Sequence, residues 1–115
     1  MNFSPNETAQ LQAALTSYNT VHRGYYGKKL QNELVTSALE KLSAKAPRDS
    51  FSNRECAVMF LALNIVCEAL DADDIQVPDA MLGLLRFLKI HAAGELEIVS
   101  PSENLIGLMR KNNVY

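Results

Sequence analysis

Apolar residues recur along the first half of this chain at the three- and four-residue spacing of a helix face. They form one stripe in residues 5–22 and another in residues 28–45, which predicts two amphipathic helices. Gly24 can close the first helix in a left-handed conformation, and Pro47 prevents the second from continuing. Each of these helices therefore has a single face to bury.

Two further predicted helices, residues 53–70 and 78–92, are apolar around most of their circumference. The first contains the stretch CAVMFLALNIVC, and the second is expected to end at Gly94. Along residues 53–70 and just after them, Asn64, Glu68 and Asp71 fall on one narrow polar stripe, with Arg54 nearby. A helix that is apolar all round is usually the central rod of a bundle. Alternatively, the apolar surplus is covered by a partner, either another protein or a second copy.

Helix starts are marked by Ser followed three residues later by Glu, an arrangement in which each side chain caps the other residue's backbone N–H. The three pairs are Ser4 with Glu7, Ser52 with Glu55, and Ser100 with Glu103. The last pair begins a fifth predicted helix, residues 101–111. Residues 95–99 alternate like a strand, and residues 75–77 are the available partner for a two-stranded clip. We therefore expect an all-α fold, in which residues 1–115 form a single-domain bundle of about five helices.

Composition fits a globular chain, with 115 residues, 48% hydrophobic, 21% charged and a net charge of −2. The first residues lack the basic and apolar regions of a signal peptide, and the longest apolar run is shorter than the roughly 20 residues that span a membrane. Cys56 and Cys67 are eleven residues apart, which on a helix separates them by about 16 Å and prevents a disulfide. We expect a cytoplasmic protein with two free thiols.

The segment DADDIQVPD concentrates negative charge. Its acidic residues are Asp71, Asp73, Asp74 and Asp79, and Glu68 lies just before it. A calcium-binding EF-hand loop would require Gly and Glu where the chain has Gln76 and Leu82. The segment is then either an ordinary solvated loop or an acidic docking patch for a basic protein surface.

The segment HRGYYGKK, residues 22–29, breaks local rules. Lys28 and Lys29 would lie in the first helical turn, where the helix dipole disfavours cations, and Tyr25 and Tyr26 lie between two glycines. Exposed tyrosines beside cations suit a protein-binding hot spot. They also suit a stacking platform for nucleic acid, supported by Lys41, Lys45 and Arg48. The bland alternative is that the tyrosines fold back over the core.

Catalytic and metal chemistry has little material in this sequence. His22 and His91 stand near predicted helix ends, where structural histidines are common, and the two cysteines lie in apolar surroundings that raise a thiol pKa. The paired spacing of zinc ligands is missing, and we expect neither metal nor cofactor. The sequence favours a non-enzymatic interaction module that acts by stoichiometric binding, as inhibitors, immunity proteins, antitoxins and adaptors do. Its partner would be another protein, with a homodimer also considered; a nucleic-acid-binding protein is the alternative, and a small enzyme comes third.

Overall fold

The computed structural model describes residues 2–21, 28–93 and 95 of the chain. In these residues the backbone forms four α-helices and no strand. The helices are Pro5–Val21 (α1), Lys28–Ser43 (α2), Asn53–Ala72 (α3) and Asp79–His91 (α4). One turn of 3-10 helix, Arg48–Ser50, lies in the connection between α2 and α3. The all-α prediction is confirmed, and each helix bound lies within about two residues of its predicted position.

Two predicted elements have different outcomes. The fifth helix, residues 101–111, lies outside the described residues, as does most of residues 95–99. Residues 75–77 form an irregular connection between α3 and α4 instead of a strand, so the predicted clip is not seen in the described chain. The physical reason is the way α3 ends: the amide of Ile75 donates to the carbonyl of Leu70 at 2.8 Å, a bond that completes the helix end.

Two predicted capping boxes are present. The amide of Ser4 donates to Glu7 Oε1 at 2.8 Å, and the amide of Glu7 donates to Ser4 Oγ at 3.1 Å. Ser52 and Glu55 make the same reciprocal pair at 2.7 Å and 3.1 Å. Each box supplies acceptors for backbone N–H groups that a helix start leaves without intrahelical partners. The third box, at Ser100, lies outside the described residues.

Helix α3 is the central helix of the bundle. It packs against α1, α2 and α4, and every residue from Glu55 to Asn64 is buried. The apolar surplus predicted for this helix is therefore covered within the chain, as the central-rod interpretation requires. Among the described residues, the exposed large hydrophobic side chains are Ile75, with 51% of its surface accessible, and Ile90, with 67%.

Three helices end through a non-glycine residue in the left-handed conformation. Lys45, Asp74 and Ala93 have φ angles of 56°, 57° and 54°. After α2 and α3 this conformation lets the next amide reach back to the helix, as in the 3.0 Å bond from the Ala46 amide to the Lys41 carbonyl. After α4 the left-handed residue is Ala93, and Gly94, which was predicted to end this helix, lies outside the described residues.

Candidate interaction surface

Five acidic residues lie where α3 ends and α4 begins, and we call them the acidic corner: Glu68, Asp71, Asp73, Asp74 and Asp79. The side chains of Asp73, Asp74 and Asp79 are exposed, and those of Glu68 and Asp71 are half-buried. The corner predicted from the sequence therefore presents at least three carboxylates to solvent.

Most of this charge lies at the unfavourable end of a helix. Glu68 and Asp71 are in the last turns of α3, Asp73 is its C-cap and Asp74 follows in the left-handed conformation. Carbonyl groups at a helix C-terminus carry partial negative charge, so each nearby anion costs about 0.3–1 kcal/mol when exposed at low salt. Asp79 differs, because it lies in the first turn of α4, where an anion is favoured. Asp73 and Asp74, the exposed carboxylates at the end of α3, thus oppose local helix stability.

The stripe predicted for α3 begins inside the protein. Asn64 is only 2% exposed, and its Nδ2 donates to Glu68 Oε1 at 3.2 Å. Its Oδ1 accepts no hydrogen bond from the described part of the chain. Asn64 is therefore buried, and it positions the Glu68 carboxylate at the inner edge of the acidic corner.

The predicted basic and aromatic segment is only partly described. Tyr25 and Tyr26 lie outside the described residues, as does the side chain of Lys28; Lys29 is exposed at the start of α2. The cations predicted to support nucleic-acid binding have different surroundings. Lys45 is exposed, whereas Lys41 and Arg48 are ion-paired within the chain. Two of the three supporting cations are therefore already neutralised by carboxylates.

Arg48 belongs to an aromatic cluster that joins the N-terminal segment to α4. Its Nη2 lies 3.0 Å from Glu7 Oε1, and its guanidinium carbon lies 5.2 Å and 4.9 Å from the ring centres of Phe3 and Phe87. His91 stacks on Phe87 at 4.0 Å, and its Nδ1 is 2.9 Å from the Phe87 carbonyl oxygen. The imidazole is thus held by contacts with its own helix, which supports the structural role predicted for it.

The buried carboxylate of Glu55 is surrounded by hydrogen-bond donors, an arrangement that the sequence did not predict. Glu55 is 2% exposed, and it accepts hydrogen bonds from Lys41 Nζ at 2.6 Å, Ser37 Oγ at 2.5 Å and the Ser52 amide at 2.7 Å. Burial raises the pKa of Glu55, but these hydrogen bonds and the Lys41 charge outweigh it, so its pKa lies below 4.5. A carboxylate held in its charged form by three donors is a poor general base.

Both cysteines are free and buried. Burial, followed by the charge of an adjacent glutamate, raises the pKa of each thiol to about 11, with Glu55 beside Cys56 and Glu68 beside Cys67. A thiol with so high a pKa is almost wholly protonated at neutral pH and is a weak nucleophile. Neither cysteine is therefore a catalytic candidate.

Metal and membrane features are missing from the part of the chain that the structure describes. No three His, Cys, Asp or Glu residues there come together as a metal site, and no described helix is long and apolar enough to cross a bilayer. Comparisons with protein-family models, curated proteins and solved structures find no match for this chain. Its function is therefore argued from its own surface chemistry.

Proposed function

We propose that this protein is a non-enzymatic interaction module that binds a basic surface of another protein through the acidic corner. The observation that carries the proposal is the position of four acidic residues, Glu68, Asp71, Asp73 and Asp74, at the negative end of α3. Charges that oppose local stability are common at functional sites, where binding compensates for the loss.

Electrostatic steering is the mechanism that fits this surface. Exposed carboxylates concentrated at one corner attract a basic partner before contact and orient it, which raises the association rate more than the final affinity. The chain as a whole has a net charge of only −2, so the attraction would be local. Because exposed charges are screened over about 8–10 Å at physiological salt, the association rate should fall as salt is added.

Chemistry elsewhere in the described residues gives little support to an enzyme. The thiols of Cys56 and Cys67 are protonated and buried, Glu55 is saturated with donors, and His91 stacks against Phe87. A catalytic site needs a nucleophile or base directed into a space that substrate can enter. Stoichiometric binding requires neither a nucleophile or base nor a space that substrate can enter.

The test compares two variants of equal charge. Asp73→Asn, Asp74→Asn and Asp79→Asn together remove the exposed part of the acidic corner, and a control removes three exposed acids elsewhere: Glu33→Gln, Glu40→Gln and Asp49→Asn. Proteins captured from an extract by the wild type, and lost with the corner variant, are purified as candidate partners. Stopped-flow mixing then measures the association rate with each purified candidate at several salt concentrations.

We expect the corner variant to associate about tenfold more slowly at low salt and with a flatter salt dependence. The control should keep most of the wild-type rate, because its lost charges lie outside the acidic corner. Association rates that are reduced equally in both variants would mean that net charge alone attracts the partner. A rate unchanged in the corner variant would overturn the proposal.

A further inference from the structure

The outer face of α4 is a self-complementary stripe, formed by Asp79, Gly83, Arg86 and Ile90. These positions are spaced by four, three and four residues, so they lie within about 60° of one another around the helix. All four are exposed. The opposite face, which includes Met81, Leu84, Leu85 and Leu88, is buried in the bundle. The stripe therefore points away from the core.

Ile90 is the large hydrophobic residue of this stripe, and its side chain is exposed. It has 67% of its surface exposed, more than Ile75, the other exposed large hydrophobic residue of the described chain. Covering an isoleucine side chain contributes about 1.5–3 kcal/mol. At Gly83, seven residues earlier, no described atom beyond its chain neighbours and the backbone of its own helix lies within 4 Å of where a Cβ atom would stand. The stripe thus combines an uncovered apolar side chain with a point at which another backbone can approach closely.

From this pattern we propose that the chain forms a homodimer in which α4 packs antiparallel against α4 of a second copy, crossing near Gly83. A twofold axis at that point places Asp79 opposite Arg86 of the second copy, and Arg86 opposite its Asp79. Opposite charges therefore meet at two symmetry-related positions. Within one chain the two residues are seven positions apart, about 10 Å along the axis, so they do not form a pair on their own helix.

The same axis also gives Ile90 a neighbour. The antiparallel pairing places Ile90, near the end of α4 in one copy, beside the start of α4 in the other copy. Ile75 precedes α4 by four residues and is 51% exposed. The proposed pairing thus covers Ile90 in both copies, next to the segment that contains Ile75.

The interface should be weak. Helix α4 has 13 residues and is about 20 Å long, and one helix pair covers less area than the roughly 800 Å² per partner of a standard interface. We expect a dissociation constant in the micromolar to millimolar range, and therefore dimerisation that depends on protein concentration. The dimer goes beyond the proposed function: the α4 stripe shares Asp79 with the acidic corner, whereas Glu68, Asp71, Asp73 and Asp74 lie outside the stripe.

The primary test is sedimentation equilibrium over a range of concentrations. The mass of the wild type should rise from 12.7 kDa toward twice that value. Ile90→Glu should weaken the dimer at least about tenfold, and its exposed position makes unfolding an improbable cause, which circular dichroism checks. Ala13→Glu adds the same charge to the exposed face of α1 and should leave dimerisation intact. A wild-type mass of one protomer up to about 1 mM would overturn the proposal.

The register has its own test. Asp79→Arg or Arg86→Asp alone places like charges opposite each other at two points and should weaken the dimer by about tenfold or more. The double variant with both substitutions restores opposite charges and should dimerise like the wild type. A dimer that resists Ile90→Glu, or a double variant that stays monomeric, would overturn this antiparallel pairing. Because the two proposals share Asp79, a variant with only Asp73→Asn and Asp74→Asn, which keeps both members of the Asp79–Arg86 pair, tests the acidic corner separately.

Discussion

The ammonium nitrogen of Lys41 lies 2.6 Å from Oε1 of Glu55, and this ion pair joins α2 to the first turn of α3. The Glu55 side chain is 3% exposed, whereas that of Lys41 is 33% exposed. Lys41 also donates to the carbonyl of Ser50 at 2.8 Å. One cation therefore holds together two helices and the connection between them.

Replacing Lys41 by methionine should destabilise the fold by about 1–3 kcal/mol. Methionine keeps much of the aliphatic stem, but the Glu55 carboxylate loses its positive partner while it stays buried. The loss is expected below the 3–5 kcal/mol of a fully buried pair, because solvent reaches Lys41. Urea unfolding of the variant measures the loss. Lys29→Met, at an exposed position of α2, is the control, and equal stability of the two variants would contradict the prediction.

Acidification should destabilise the protein through Glu55. The pKa of this carboxyl is lower in the folded protein than its ordinary value of 4.5, so the unfolded chain binds protons more readily. The stabilisation is therefore present above pH 4.5 and is lost as the pH falls through the lower, folded pKa. Glu55→Gln should be less stable at neutral pH, and its stability should vary less as the pH falls below 4.5. Unfolding curves at each pH measure the free energy of unfolding. Glu40→Gln, at an exposed glutamate of α2, is the control. If the stability of Glu55→Gln depends on pH as steeply as that of the wild type, the prediction is contradicted.

The helices were predictable because their signals are local. Ser52 and Glu55 form the expected capping box, and the acidic corner was visible because its residues are close in sequence. The Lys41–Glu55 pair spans 14 residues and depends on how α2 packs against α3, which periodicity does not specify. The exposure of Ile90 also depends on helix packing. In a helix that is apolar on most sides, the sequence pattern does not show which side lacks a neighbour.

The helix ends show a further limit of sequence reasoning. Glycine is the usual left-handed residue after a helix, yet Lys45, Asp74 and Ala93 adopt the conformation. A side chain there is strained by about 1 kcal/mol. At Lys45 and Asp74 the strain is offset because the following amide then donates to a helix carbonyl, that of Lys41 and that of Leu70 respectively. Sequence preference alone ranks such residues low, so these positions were not predicted.

Substituting Lys45 by glycine should therefore stabilise the protein, by about 0.5–1 kcal/mol. Glycine adopts a φ of 56° without a steric penalty, although its freer unfolded chain offsets part of the gain. The 3.0 Å bond from Asn2 Nδ2 to the Lys45 carbonyl involves the backbone and should persist. Thermal and urea unfolding measure the change. Lys45→Ala keeps the strained Cβ and should show no gain; equal gains in both variants would assign the effect to the lost charge.

A single substitution at Gly83 is expected to change fold stability and dimerisation in opposite directions. In the interior of an exposed helix, alanine is more stable than glycine by about 0.5–1 kcal/mol, and the open space at Gly83 leaves room for the added methyl group. Gly83→Ala should therefore raise the free energy of unfolding in dilute solution. In the proposed dimer the same methyl group would stand where the two helices cross, so self-association should weaken. Unfolding at low concentration and sedimentation at high concentration measure the two effects; a variant that is more stable and dimerises as well as the wild type would place the crossing elsewhere on α4.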